Sequence, residues 1–431
     1  MTWRRNTLAC LFLGVLPALA AVVPAMTAAA PGEKTETYRV LDPIESGDLK
    51  LYPIVRANSS GPAAHWRYIT LDEGLQSGQV VIEEAGKARG LVRRRSPNGG
   101  LADEPSNDEV NTLVLENRSR LPLLLLAGEI VTGGKQDRVI GKDRIVAPNS
   151  APLDLSVFCI EPGRWQEETP VFHGSGRGKH LSFMAEPSIR ERAMVEKDQL
   201  RVWSAVRNSI AAEQASAAPA STGAAGSGPA IDYNLPATSS YAQTMASPAA
   251  ARQVDSIARP VLEDESGAVP VLLKEQAVGV VAAIHGHIVW ADLFATPELL
   301  AAYWPKLVRS YAAEALHSSS DDGPVASKEA ALEFVQSAVD GHETSEGISS
   351  VYRYREVHGQ TESVFQLEAL LPGTGFEVHR TKVYQREAHA IAEPVRPQPP
   401  LRGDPVYHAL PYMPRTEPGI AGPHVTADSI R

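Results

Sequence analysis

Between Leu49 and Ile160 the apolar residues fall in short runs (LKLYPIV, WRYITL, QVVIEE, TLVLEN, LPLLLLAG, RVIG, RIVA, LDLSVFCI) separated by Gly, Pro, Asn and Ser. Runs of that length, partly alternating and punctuated by turn formers, are the pattern of successive strands. The segment is therefore expected to be mainly antiparallel β, as a sandwich or an open barrel. Thr70 to Leu75 breaks the pattern and predicts one helical turn, with Thr70 or Asp72 as its cap. His173 to Lys179 is glycine-rich and reads as a loop. Pro187 opens a helix whose apolar positions Ile189, Met194, Leu200, Trp203, Val206 and Ile210 follow a helical period only loosely.

The next stretch changes character: from Ala215 to Ala251 it is dominated by Ala, Ser, Gly, Pro and Thr, and its one charge is Asp232. Such a composition buries too little apolar surface to offset the entropy of ordering, which predicts a disordered insertion. Order resumes in VGVVAAIHGHIVWADLF, two strands around a His285-Gly286-His287 turn. A helix follows, capped by Thr296 with Pro297 at its first position, and Pro305 is placed to kink it. Ser327 to Val339 predicts another helix, ended by Gly341. SSVYRYREV, ESVFQLEALL and FEVHRTKVY form a small β-meander in outline.

The fold class is thus α+β: a mainly antiparallel, sandwich-like N-terminal half followed by an α+β half with a small β-meander. The expected boundaries are a signal peptide over 1–30, a β-rich, motif-bearing domain with a C-terminal helix over 31–212 and a low-complexity disordered insertion over 213–256. An α+β segment follows over 257–392, then a proline-rich disordered tail over 393–431.

The opening MTWRRNTLACLFLGVLPALAAVVPAMTAAAPGEK places Arg4 and Arg5 before an apolar run that ends in small residues, the layout of a secretory signal peptide. The protein is expected to be exported, periplasmic or secreted, with a membrane involved only through an uncleaved leader. Arg4, Arg5 and no acids leave with that leader, so the formal charge moves from −10 to −12. A net acidic surface opposes nucleic acid as a partner. Cys159 is then the one remaining cysteine, which rules out an intramolecular disulfide.

Leu121 to Trp165 gathers Glu129, Lys135, Asp137, Arg138, Cys159, Glu161 and Arg164 into the most apolar part of the mature chain. Charge in such surroundings is costly unless paired, so the stretch predicts either a salt-bridge network or a polar site. GEIVTGGK resembles a phosphate-binding loop, but the lysine comes one residue late, Gln136 stands where a magnesium-binding hydroxyl belongs, and QDRVIGKDRIVA alternates like a strand. Two readings stay open. One is a Gly133-Gly134 hairpin with Lys135 and Arg138 paired to Glu129 and Asp143. The other is an anion-binding concavity made by the Gly133 and Gly134 amides and the two cations.

Elsewhere the chemistry is sparser. Cys159 reads as a core thiol, since a reactive thiolate needs a neighbouring cation or base. His285 and His287 have no matched third ligand, so no metal site is expected, and no cofactor is indicated. Asp292 interrupts an apolar strand and is expected to pair with Arg138 or Arg164 or to line a pocket. Trp203, Trp290, Trp304, Tyr303 and Tyr311 read as core, with a carbohydrate or peptide groove as the alternative.

The runs LLLLAGEIVTGGKQDRVI and VFCIEPGRW, preceded by GDLKLYPI and YITLDEGL and followed by VVAAIHGHIVWADLFATPELLAAYWPKLVRSYAAEAL, resemble a family of uncharacterised proteins. That family is named for its association with ADP-ribosylglycohydrolase and rhodanese/phosphatase-superfamily domains. The resemblance covers roughly Gly47 to Leu316 outside the low-complexity stretch. It rests on Glu129, Gly134, Lys135, Gln136, Arg138, Cys159, Glu161, Gly163, Arg164, Trp165, Asp292, Trp304 and Pro305, while Asp137 stands where such sequences often carry asparagine. It implies ADP-ribose, nucleotide or phosphate-linked chemistry, to which a Gly-Gly-Lys/Arg anion site is suited. Export would separate this member from intracellular nucleotides, so a retained fold with a changed ligand is expected.

The expected function is a binding or accessory domain for an anionic, phosphate- or nucleotide-like small molecule. Its ligand-binding residues are Gly133, Gly134, Lys135, Gln136, Arg138, Arg164 and Asp292, with Glu129, Glu161 and Arg164 orienting the cations. The alternative is a hydrolase with Glu129 or Glu161 as general base. A third reading is a non-catalytic envelope structural or interaction protein.

Overall fold

The structure is a computed structural model that describes residues 37–57, 67–84, 112–163, 169–176, 182–217, 238–263, 268–317, 323–371 and 376–385. The expected leader and the proline-rich tail lie outside these residues. The described residues begin with β1 (Tyr38–Val40), β2 (Ile44–Ser46) and β3 (Leu49–Arg56), and β4 (Ile69–Thr70) then runs into helix α1 (Leu71–Gln76). A run of short strands follows: β5 (Val80–Glu84), β6 (Thr112–Asn117), β7 (Leu123–Leu125), β8 (Ile130–Thr132), β9 (Arg138–Ile140), β10 (Arg144–Val146), β11 (Leu153–Cys159) and β12 (His173–Gly174). The helical part comprises α2 (Pro187–Glu191), a π-helical turn (Arg192–Glu196), α3 (Gln199–Ala217), α4 (Tyr241–Met245), α5 (Pro248–Leu262) and α6 (Ala268–Lys274). The hairpin β13 (Ala277–Ile284) and β14 (His287–Phe294) leads to α7 (Pro297–His317) and α8 (Lys328–Gln336). The chain's last described elements are β15 (His342–Ile348), β16 (Tyr352–His358), β17 (Glu362–Ala369) and β18 (Phe376–Tyr384).

Six of the short strands make one sheet in the order β12-β8-β9-β11-β6-β5. A bridge between Glu83 and Val171, with the Phe172 amide donating to the Ile82 carbonyl at 3.0 Å, joins its two ends. The sheet therefore closes on itself as a small barrel, which removes its open edges. Its interior is filled by Val80, Ile82, Leu113, Leu115, Val131, Ile140, Leu155, Val157 and Phe172, and the short sheet β10-β7-β4 adds Ile69, Leu123, Leu125 and Val146 to the same core.

The larger sheet is antiparallel and nine-stranded, in the order β1-β3-β13-β14-β18-β17-β16-β15 with β2 beside β3. Its centre is covered on both faces. Val280, Ala282, Trp290 and Phe294 face the core shared with α2, α3, α5 and α7, while Val281, Ala283, Ile288 and Ala291 face α8 through Ala331, Phe334 and Val335. Two-sided burial is why β13 and β14 read as unbroken apolar runs instead of alternating. The chain between them turns through His285 (φ +51°) and Gly286 (φ +83°). Helix α1 is fixed by a capping box: Thr70 Oγ1 accepts the Glu73 amide, and the Glu73 carboxylate accepts the Thr70 amide at 2.9 Å.

The α+β class stands, but several boundaries move. The expected division into a domain over 31–212 and a segment over 257–392 does not hold, because β1, β2 and β3 belong to the same sheet as β13 to β18. Within the expected disordered insertion, 213–256, helix α3 continues to Ala217, α4 is helical, and α5 begins at Pro248. The intervening residues 218–237 lie outside the described set. The apolar side chains Val254, Ala258 and Val261 of α5 reach the main core, supplying burial that the Ala/Ser-rich text concealed.

The helix opened by Pro187 is interrupted by the π turn and by Lys197 at φ +53°. That phase change explains the loose period and leaves Leu200 at 69% exposed, outside the core expected for it. Helix α8 stops at Gln336, not at Gly341. A Cβ on Gly341 would lie 2.0 Å from the His358 carbonyl oxygen, so this glycine serves a close strand approach. The strand just after it, β15, makes the meander four-stranded instead of three.

Candidate functional site

Between β7 and β8 the chain turns inward through Leu126, Ala127 and Gly128. Gly128 has φ +95°, and a Cβ there would fall 2.7 Å from the Arg190 side chain. The amides of this buried turn need acceptors. Glu129 Oε2 accepts from Leu126 at 2.9 Å and Asp143 Oδ1 from Ala127 at 2.7 Å. Each carboxylate uses its other oxygen on a cation. Glu129 Oε1 is 2.6 Å from Lys306 Nζ, which is also 2.6 Å from Asp72 Oδ2, and Asp143 Oδ2 is 2.6 Å from His379 Nδ1.

His379 joins this turn to Asp292, its Nε2 lying 3.3 Å from Asp292 Oδ1. Asp292 also takes both guanidinium nitrogens of Arg190 at 3.3 and 3.4 Å, the Thr381 hydroxyl at 2.9 Å and the Tyr311 hydroxyl. The Arg190 guanidinium lies over the Trp290 ring, 4.3 Å from its centroid. Asp143, Asp292, Arg190 and His379 are all buried, and their charges cancel, the condition under which buried ions are tolerated. Burial alone would push the His379 imidazole down, but the two flanking carboxylates outweigh it and raise its pKa to about 9. For Asp292 burial pushes upward, and Arg190 with His379 more than reverses it, holding the carboxyl well below the usual range. Desolvation dominates at Glu129 and raises its pKa despite Lys306.

The Gly133-Gly134 turn forms the second focus. Its amides are engaged by the protein: Gly133 N–H donates to Asp137 Oδ1 at 3.0 Å, Gly134 N–H to the Thr169 carbonyl at 3.1 Å, and Lys135 N–H to Glu84 Oε1 at 2.8 Å. Arg138 Nη1 donates to the Gln136 carbonyl at 2.6 Å, and Nη2 is 3.9 Å from Glu84 Oε1. Gln136 Nε2 donates to the Glu161 carbonyl at 2.8 Å, and the Asp137 amide donates to Glu161 Oε2 at 3.1 Å. The segment entering α4 clips on from outside: the Ser240 hydroxyl donates to Asp137 Oδ2 at 2.6 Å, and the Gly163 amide donates to Ser239 Oγ at 2.9 Å.

These partners differ from those expected. Glu129 pairs with Lys306 and Asp143 with His379, so neither serves Lys135 or Arg138, whose turn is served by Glu84. Asp292 pairs with Arg190 and His379, and not with Arg138. Arg164, the other expected partner and a candidate ligand residue, lies outside the described residues. Gly133, Gly134, Lys135, Gln136, Arg138 and Glu161 lie together around one turn, while Glu129 and Asp292 belong to the neighbouring ionic network. Cys159 is fully buried and its thiol is pushed up to about 12 by desolvation, the state of an inert core thiol. Among the described residues no three His, Cys, Asp or Glu side chains are grouped to hold a metal ion.

Glu84, Asp143, Arg190, Lys306, Tyr311, His379 and Thr381 were not among the expected site residues. Glu84 carried a usable signal: Val80, Ile82 and Glu84 share the inward parity of β5, so a carboxylate stood in a core position. Lys306 carried another, as a single cation inside the apolar helix text AAYWPKLV.

The model of the ARG and Rhodanese-Phosphatase-superfamily-associated Protein domain, ARPP-1, matches residues 37–382. The chain belongs to this family. The matched span takes in the barrel, the large sheet and every residue of the two polar clusters described above. No curated protein and no solved structure matches the chain.

Proposed function

We propose that this ARPP-1 protein is an exported binding or accessory protein whose Gly133–Arg138 turn is an anion site. The observation that carries the reading is the convergence of two carboxylates, Glu84 and Asp137, on the amides of Lys135 and Gly133, with the Arg138 guanidinium 3.9 Å from one of them. Successive amides in a turn of positive φ next to a guanidinium are the donor set that phosphate and carboxylate ligands use. Export rests on the leader pattern of the sequence.

Binding is favoured over hydrolysis because the two candidate bases are held: Glu129 by Lys306 and the Leu126 amide, Glu161 by the Asp137 amide. They are 1% and 3% exposed. A general base must come within hydrogen-bond reach of a substrate proton. The test is a thermal-shift titration of the leader-free protein with ADP-ribose, nucleotides, sugar phosphates and simple oxyanions, with Arg138→Gln alongside. A saturable rise in Tm that Arg138→Gln removes without itself unfolding the protein supports the anion site.

The reading of the motif as a fold-holding network has one observation of its own, the internal engagement of all three turn amides. It predicts no ligand shift and a strongly destabilised Arg138→Gln.

A further inference from the structure

We propose that Glu84 is a built-in plug, a carboxylate of the chain itself seated where an exogenous oxyanion would bind the Gly133–Arg138 turn. This inference rests on the anion-site reading and says how that site is kept closed.

Glu84 ends β5, and its side chain points into the protein, 1% exposed. It crosses to the turn from a distant part of the sequence, Oε1 accepting the Lys135 amide at 2.8 Å and lying 3.9 Å from Arg138 Nη2. A Cβ on Gly134 would sit 2.2 Å from the Phe172 ring and 2.7 Å from that same oxygen, so glycine at 134, at φ +53°, leaves room for the ring and the carboxylate together. Glycine at a close approach to a negatively charged group is how backbone amides are brought to phosphates. Here the group approached is internal.

The other carboxylate at the turn has a different character. Asp137 closes a local loop onto the Gly133 amide four residues earlier and receives the Ser240 hydroxyl, so it shapes the turn. Glu84 is attached by contacts that an inorganic oxyanion could reproduce, one backbone amide and one guanidinium. Phosphate or sulfate replacing it would take the Lys135 amide and Arg138, while like-charge repulsion forbids both anions at once. The site therefore takes a tetrahedral oxyanion, free or as the terminal group of a sugar phosphate or nucleotide, only when the Glu84 carboxylate is neutralised or withdrawn.

The experiment is a thermal-shift and equilibrium-binding titration of the leader-free full chain with inorganic phosphate and with sulfate, matched in ionic strength with chloride. It compares wild type with Glu84→Gln, which keeps an acceptor for the Lys135 amide, and Glu84→Asp, which keeps the charge but withdraws it by one methylene. The expected result is a saturable stabilisation in Glu84→Gln at least tenfold tighter than in wild type, with Glu84→Asp between the two. Loss of the gain in Glu84→Gln/Arg138→Gln would place the ion at the turn. If wild type and Glu84→Gln bind phosphate equally, the plug is wrong while the anion site stands. If folded Glu84→Gln shows no saturable response, both ideas fail. Should Glu84→Gln not fold, Glu84→Asp decides, and phosphate affinity no better than wild type in that variant overturns the plug. Titration with ribose 5-phosphate and ADP beside phosphate separates a free-ion site from one that reads the attached group.

Discussion

Titrating the protein from pH 6.5 to 8.5 tests the Asp143–His379–Asp292 arrangement with no mutation at all. His379 is held protonated between two carboxylates, its pKa raised to about 9, and His317 is raised to about 10 because Glu186 and Glu213 outweigh its burial. In the unfolded chain both imidazoles lose their protons near pH 6.5. Above that pH the unfolded state binds fewer protons than the native one, so stability is full at acidic pH and falls as pH rises towards 9 and 10. Integrating between the two limits, His379 contributes a loss of about 2 kcal/mol across this window and His317 a similar amount, roughly 4 kcal/mol together. A domain's total stability is only about 5–15 kcal/mol, so the change is easily resolved. At the top of this window the Cys159 thiol of the unfolded chain is about half ionised while the native thiol is not, which adds about 0.4 kcal/mol in the same direction. Urea denaturation at pH 6.5, 7.5 and 8.5 supplies the numbers, and imidazole NMR titration assigns them. A stability constant within 0.5 kcal/mol, or rising with pH, with His379 titrating near 6.5, would refute the buried imidazolium.

Lys306→Met should cost about 3–5 kcal/mol in chemical denaturation, since it leaves Glu129 buried without its cation. Adding Glu129→Gln should recover much of that loss, and additivity of the two losses would sink the pairing. Gly134→Ala should lower stability by about 2 kcal/mol or more, because the new methyl meets the Phe172 ring at 2.2 Å on a backbone at φ +53°; an unchanged melting temperature would contradict that packing. The Cys159 thiol should resist a chromogenic disulfide reagent at pH 8 in the native protein and react fully in denaturant. Rapid native labelling would mean the thiol is not sealed in the core.

Much of the fold could be read from the text because local signals agreed with tertiary demand. The short runs from LKLYPIV to LDLSVFCI are strands, Thr70 and Glu73 make the cap their spacing predicts, and His285-Gly286-His287 is a hairpin turn. Where the reading missed, a nonlocal requirement decided the outcome. Tyr241–Met245 and Pro248–Leu262 are too short to be stable helices in isolation, yet they are helical because Tyr241, Val254, Ala258 and Val261 have a core to enter. β3 lies in the N-terminal half of the sequence. It pairs with β13 over 200 residues later, a partnership that no periodicity records.

The site divides in the same way, and the division bears on what the ARPP-1 domain is. Sequence showed that charges at 129, 138 and 292 stood in apolar surroundings, but the partner of a buried charge is chosen by the fold. Glu129 meets Lys306 177 residues away, Asp143 meets His379 236 away, and Arg190 meets Asp292 102 away. These pairs tie the barrel and its adjoining loops to α2, α7, β14 and β18, so each part carries carboxylates whose cations belong to another. Separating the halves would leave Glu129 and Asp143 without their cations, at several kcal/mol each, and would strip Arg190 from Asp292, which keeps only His379. Neither half is then expected to be stable by itself, and the family match spans both, from 37 to 382. Fragments 37–217 and 238–385 expressed singly should accordingly be insoluble or unfolded, while co-expression restores the alkaline stability profile of the intact chain. A cooperatively folded fragment 37–217 on its own would show that the ionic network is dispensable to the barrel.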